Sequence, residues 1–168
     1  MLLELAVLCV FPWAMAFGGA MDFFTMTIPN RVSIVMVVGF CALAPFLGLG
    51  VDALMSHLLA GVLMLALGAF LFYRGIIGGG DAKLFAAGAL WVGLDHLMLF
   101  MLYAALAGGV LTLAIVAYRY CTLPEWMSRQ AWAARLHDPA GGVPYGIALA
   151  AGAMMTYPLM KWLPHAIV

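Results

Sequence analysis

Six stretches of this chain are almost uninterrupted apolar sequence: Leu5–Ala20, Val32–Leu49, Ala53–Tyr73, Leu84–Leu94, Leu97–Tyr118 and Val143–Leu163. Nothing else constrains the fold as strongly, because a run of about 20 apolar residues is what a helix needs to cross the ~30 Å hydrocarbon core of a bilayer. In that medium every backbone polar group has to be satisfied internally, and a helix does this within its own segment. The runs use nearly the whole chain, which is 67% hydrophobic and 8% charged, so no soluble domain is left to assign. The expected fold is all-α: a polytopic membrane protein with about six transmembrane helices, forming one membrane-embedded domain over residues 1–168 and touching membrane lipid. No Lys or Arg precedes the first run and no clear small-residue cleavage site follows it, so it is expected to stay as a helix.

The fourth and fifth runs are together slightly short for two crossings, and charge placement decides between two helices and one broken helix. With six helices, the loops on one side hold Arg31, Arg74, Lys83, Arg119, Arg129 and Arg135, and the other side holds Lys161. With five, the asymmetry disappears, against the tendency of Lys and Arg to remain cytoplasmic. Six helices are therefore expected, with an outer turn at Asp95-His96. The net charge of zero and the lack of a basic block exclude nucleic acid as an expected partner.

The same topology sorts the seven acids. Glu4, Asp52 and Asp95 fall at outer ends or turns, and Glu125 and Asp138 in the loop after the fifth run, all places where a charge is solvated. Asp22 and Asp81 remain. Although 59 positions apart, they arrive at one membrane depth, Asp22 closing the first helix and Asp81 opening the fourth. Asp81 follows Gly78, Gly79 and Gly80, which permit unusual backbone and let another chain approach closely. Two close carboxylates resist ionising together, so one is available to activate water and the other to polarise a carbonyl. The helix start and Lys83 are expected to favour the charged form of Asp81. On spacing alone, a plain turn with Asp81 as helix cap and Asp22 as an interfacial charge is an equal alternative.

Four features at these positions resemble the prepilin peptidases, the GxGD aspartic membrane proteases, and in particular their short form that processes Flp-type pilins. They are Gly78-Gly79-Gly80-Asp81-Ala82-Lys83-Leu84, Asp22 followed by Ile28-Pro29-Asn30, Val143-Pro144-Tyr145-Gly146, and the six-helix plan. The resemblance implies a membrane aspartic endopeptidase of the bacterial inner membrane, with Asp22 and Asp81 as catalytic pair facing the cytoplasm. It implies active-site support from Gly78, Gly79, Gly80, Lys83, Pro29, Asn30, Pro144, Tyr145 and Gly146, a prepilin as substrate, and pilus assembly machinery as a possible partner. Family members commonly carry basic residues between the first aspartate and Ile-Pro-Asn, where this chain has Phe23, Phe24 and Met26. Larger members methylate the new N-terminus and often carry paired cysteines in an extra cytoplasmic region. Without that pair, hydrolysis alone is expected.

The remaining residues favour no other chemistry. Cys9, Cys41 and Cys121 are scattered, and His57, His96, His137 and His165 share no ligand spacing, so neither a metal nor a cofactor is expected. No HExxH or GxSxG motif is present. The Trp- and Arg-bearing segment from Arg119 to Gly142 reads as an interfacial helix under the headgroups. A small transporter or proton pathway binding its ion at Asp22 and Asp81 is the rival from another class. It leaves Ile28-Pro29-Asn30 and Pro144-Tyr145-Gly146 without a part to play.

Overall fold

The computed structural model describes residues 2–46 and 48–160, with residues 2–8 described by backbone alone. Lys161, His165, the end of the sixth apolar run and the side chain of Glu4 lie outside the described residues. All regular structure described is helical: α1 (Leu2–Thr25), α2 (Asn30–Leu43), α3 (Val51–Tyr73), α4 (Gly79–Val92), α5 (Leu94–Tyr120), α6 (Glu125–Ser128), α7 (Ala131–His137) and α8 (Tyr145–Thr156), with short 3-10 turns after α2 and α8. Six of these follow the six apolar runs, and α6 and α7 are short insertions between the last two.

Among the described residues, α3 and α5 are long and apolar enough to cross a membrane, yet their most apolar windows are only 22% and 17% buried. A soluble core helix hides such a surface. Here Val62, Leu65, Leu102 and Leu106 point outward, a match for hydrocarbon and not for water.

α4 and α5 form a hairpin. The rings of Phe85 and Phe100 lie 5.6 Å apart, whereas fifteen residues along one straight helix would separate them by about 22 Å. The turn sits at Gly93 and not at Asp95-His96, which instead fall in the first turns of α5. Gly93 reverses the chain in a single residue at φ +73. That conformation is open to glycine at little strain, and the His57 ring 3.1 Å from where a Cβ would stand leaves no room for one.

Contacts between helices sort into two ends. At one, Ser56 and His57 of α3 meet Leu94 and Leu90, where α4 passes into α5. There Trp91 donates its indole N–H to the Met36 carbonyl of α2 at 2.8 Å, and Phe11 of α1 stacks on Tyr157 after α8. At the other end, the close of α1 meets the start of α8 at Gly146, the start of α2 meets α4 through Asn30 and Lys83, and the close of α3 meets α4 where Phe72 flanks Gly79. The long helices therefore alternate in direction. Arg31, Arg74, Lys83, Arg119, Arg129 and Arg135 all belong to the second end, which also carries both aspartates and is called the carboxylate end below.

Candidate active site

Asp22 lies in the last turn of α1 and is 5% exposed. The helix closes behind it at Met26, whose N–H donates to the Asp22 carbonyl at 2.7 Å and whose φ of +55 is left-handed, a helix stop that glycine more often provides. Across the interface, Pro144 starts α8 so that the Gly146 N–H, free because it is in the first turn, donates to Asp22 Oδ2 at 2.7 Å. Position 146 admits only glycine: a Cβ there would stand 2.9 Å from Asp22 Cβ, from Asp22 Oδ2 and from Ile28 Cδ1.

Asp81 occupies the first turn of α4, behind the cap residue Gly78. Its Oδ1 is buried and has no hydrogen-bond partner among the described residues, an arrangement that native structures seldom leave without a use. Its Oδ2 leans back to within 2.9 Å of where a Gly78 Cβ would be. The two carboxylates line one pocket of about 280 Å³ with Met26, Thr27, Ile28 and the three glycines.

The glycine run works through space and not through unusual backbone. Gly78 has an ordinary φ of −71, and the positive-φ glycines of the described chain are Gly48, Gly75 and Gly93. Gly79 makes room for the Phe72 ring, and Gly80 lets Ile28 come within 3.0 Å of a virtual Cβ. Ile28 is thus wedged between α4 and α8, one residue before the two that the Ile-Pro-Asn segment was expected to contribute. Its apolar side chain carried no chemical signal. Only its position between Gly80 and Gly146 shows what it does.

The other supporting residues divide. Pro29 caps α2 and Pro144 is buried at the start of α8. Tyr145 faces a neighbouring groove that Asp81 also lines, its OH 3.3 Å from Thr112 Oγ1. Lys83, expected to favour the charged form of Asp81, is exposed and donates instead to Asn30 Oδ1 at 2.9 Å. Residues two apart on a helix do not share a face. The segment from 119 to 142, expected as one interfacial helix, contains the two short helices α6 and α7. Trp132 packs on Phe23 and Phe24, and Arg135 donates to the Phe24 carbonyl at 3.1 Å. Arg119 donates to the Leu136, Gly141 and Gly142 carbonyls. These arginines hold the loop against the carboxylate end, and Phe23 and Phe24 form an aromatic seat for α7.

The chain belongs to the type IV leader peptidase family, whose model matches residues 9–113. Family membership makes it a protease with prepilins as its substrates. The matched stretch contains Asp22 and Asp81 and ends before Pro144-Tyr145-Gly146. No curated protein matches the chain, and no solved structure does either.

Proposed function

We propose that this peptidase is an aspartic endopeptidase of the GxGD type, spanning the inner membrane six times and removing the leaders of Flp-type prepilins at the cytoplasmic face. One observation carries the reading: two aspartates far apart in sequence share a small pocket, one of them fixed by Gly146 and the other with a buried oxygen left unpartnered.

The chemistry needs one proton on the pair. The ionised carboxylate takes a proton from a water held between the two as its oxygen attacks the scissile carbonyl carbon. The protonated carboxyl gives its proton to the carbonyl oxygen, forming a neutral gem-diol. Collapse breaks the C–N bond, with a proton passing to the departing amine. Which aspartate starts ionised is a property of the pair and not of either residue. Gly146 holds Asp22 in register throughout, which is the orientation that acid–base catalysis depends on.

The cytoplasmic placement is supported by the gathering of the described Lys and Arg residues at the carboxylate end. The six-span arrangement is supported by the alternation of the long helices and their apolar outer surface. In the test, purified protein and a Flp-type prepilin should yield a product shortened by the leader, read by mass spectrometry. An uncut substrate, under conditions where a related peptidase is active, refutes the assignment. Orientation is tested separately with a membrane-impermeant thiol reagent on intact cells. It should miss Cys121 as the sole cysteine and label Asp95→Cys in a variant without other cysteines. The reverse pattern overturns the cytoplasmic site.

A further inference from the structure

Asp81 lines two cavities. Besides the pocket shared with Asp22, it stands at one end of a groove of about 580 Å³ bounded by α3, α4, α5 and α8. The polar side chains of that groove, Asp81, Thr112 and Tyr145, are gathered at the carboxylate end. Away from them the lining is apolar, with small residues of α5 (Ala105, Gly109) along one wall. A groove of similar volume, about 560 Å³, runs on the opposite side of α4, with Asn30 and Lys83 at its mouth and Val62 on its wall, but it contains neither aspartate.

We propose that the groove ending at Asp81 seats the apolar helix that follows the scissile junction of the prepilin; this rests on the peptidase reading of Asp22 and Asp81. Continuity supplies the first reason. A peptide lying across the carboxylate pocket and passing Asp81 enters this groove and not the one beside Lys83. The polarity gradient supplies the second, because a polar junction continuing into an apolar helix has the same order of polarity as the wall it would lie on. The third reason is the small-residue wall. Small residues let helix backbones approach closely within a membrane, and the chain's own packing does not need one at position 109. A Cβ on Gly109 would meet nothing within 4 Å, whereas one on the adjacent Gly108 would press on the Tyr145 ring at 3.2 Å. The space beside Gly109 is therefore available to another molecule.

That open space makes the test clean, since Gly109→Leu fills the groove without displacing the fold. The expected result is a fall of about tenfold or more in kcat/KM on full-length prepilin, carried by KM. A short peptide containing leader and junction but stopping before the apolar helix should be cut at the wild-type rate. Val62→Phe, in the other groove, should change neither. Wild-type cleavage of full-length prepilin by Gly109→Leu overturns the docking site and leaves the peptidase reading intact. Equal loss on both substrates also overturns it, because the groove would then serve the carboxylates and not the helix. A wild-type protein that cuts neither substrate refutes the reading underneath. A second measurement needs no cleavage. With Asp81→Asn protein in vesicles, a photocrosslinking residue at position 109 should capture the prepilin through residues after the junction, mapped by mass spectrometry, and one at position 62 should not. Capture of lipid alone at 109, or equal prepilin capture from both positions, overturns the proposal.

Discussion

The two ends of α4 face the same problem, polar groups carried among apolar helices, and resolve it in opposite ways. Where α4 turns into α5, the Leu90 carbonyl has lost its helical partner and the Leu94 N–H has not yet gained one. Neighbouring residues of α3 supply both: His57 Nδ1–H donates to the carbonyl at 2.9 Å, and Ser56 Oγ accepts from the N–H at 3.1 Å. At the carboxylate end, by contrast, the two buried side-chain oxygens without a partner among the described residues are Asp81 Oδ1 and Ser33 Oγ. At the turn into α5 the bonded polar atoms hold the helices together, whereas at the carboxylate end Asp81 Oδ1 keeps its bonding capacity for the substrate of the proposed reaction.

The sharpest way to break this comparison is to neutralise the aspartates. Asp22→Asn and Asp81→Asn should each lower prepilin cleavage by about 10²–10⁴-fold, since a lone carboxylate cannot supply both the acid and the base role. Both proteins should still insert and run as folded species on size exclusion in detergent. Asp81→Asn in particular removes no protein hydrogen bond of Oδ1, so its melting temperature should not fall. Near-wild-type cleavage by either variant removes that residue from the mechanism.

Gly146→Ala should have the next largest effect. One methyl group placed 2.9 Å from Asp22 must move the carboxylate, Ile28 or the start of α8. A misplacement approaching 1 Å is worth about 10²-fold in rate. The loss should appear in kcat more than in KM, because the displaced group acts on the reacting bond. A variant that loses activity only through a raised KM would mean that Gly146 shapes substrate binding and not Asp22.

At the other end the expected effects reverse. His57→Leu removes the partner of the Leu90 carbonyl and should lower stability by about 1–3 kcal/mol, read as a reduced melting temperature in detergent. Cleavage per folded molecule should stay within about twofold of wild type. An activity loss with stability intact would show that the far end communicates with the carboxylates.

How far the sequence foretold these arrangements depends on the range of the interaction involved. The apolar runs located the long helices because spanning requirements act along the chain, and charge asymmetry grouped Asp22 with Asp81 because it acts on whole loops. The hairpin turn was misplaced by two residues because polar Asp95 and His96 look like a turn, while the deciding property was the positive φ of Gly93. The glycines before Asp81 were legible as unusual, but their purpose lies in what approaches them, Phe72 and Ile28, which no spacing reveals. The docking of α7 depends on Arg135 reaching Phe24, 111 residues away. A short helix with Trp and Arg carries the same composition whether it lies on lipid or on protein.

The smallest predicted effect tests the expectation that Lys83 favours the charged form of Asp81. Lys83 follows Asp81 so closely that a neutralising role is the natural reading of Gly-Asp-Ala-Lys, and helix geometry turns it instead to Asn30 at the mouth of the other groove. An exposed polar bond of this kind contributes about 1 kcal/mol or less, and to stability. Lys83→Gln keeps the stem and a donor for Asn30 while removing the charge, so kcat/KM on prepilin should stay within about threefold of wild type at moderate salt. The pH profile of cleavage should keep its shape, since no charge facing the carboxylates has been removed. A hundredfold loss, or a profile displaced along the pH axis, would mean that substrate binding brings Lys83 to Asp81. The carboxylate end would then be a site completed by its substrate and not one already built in the resting protein.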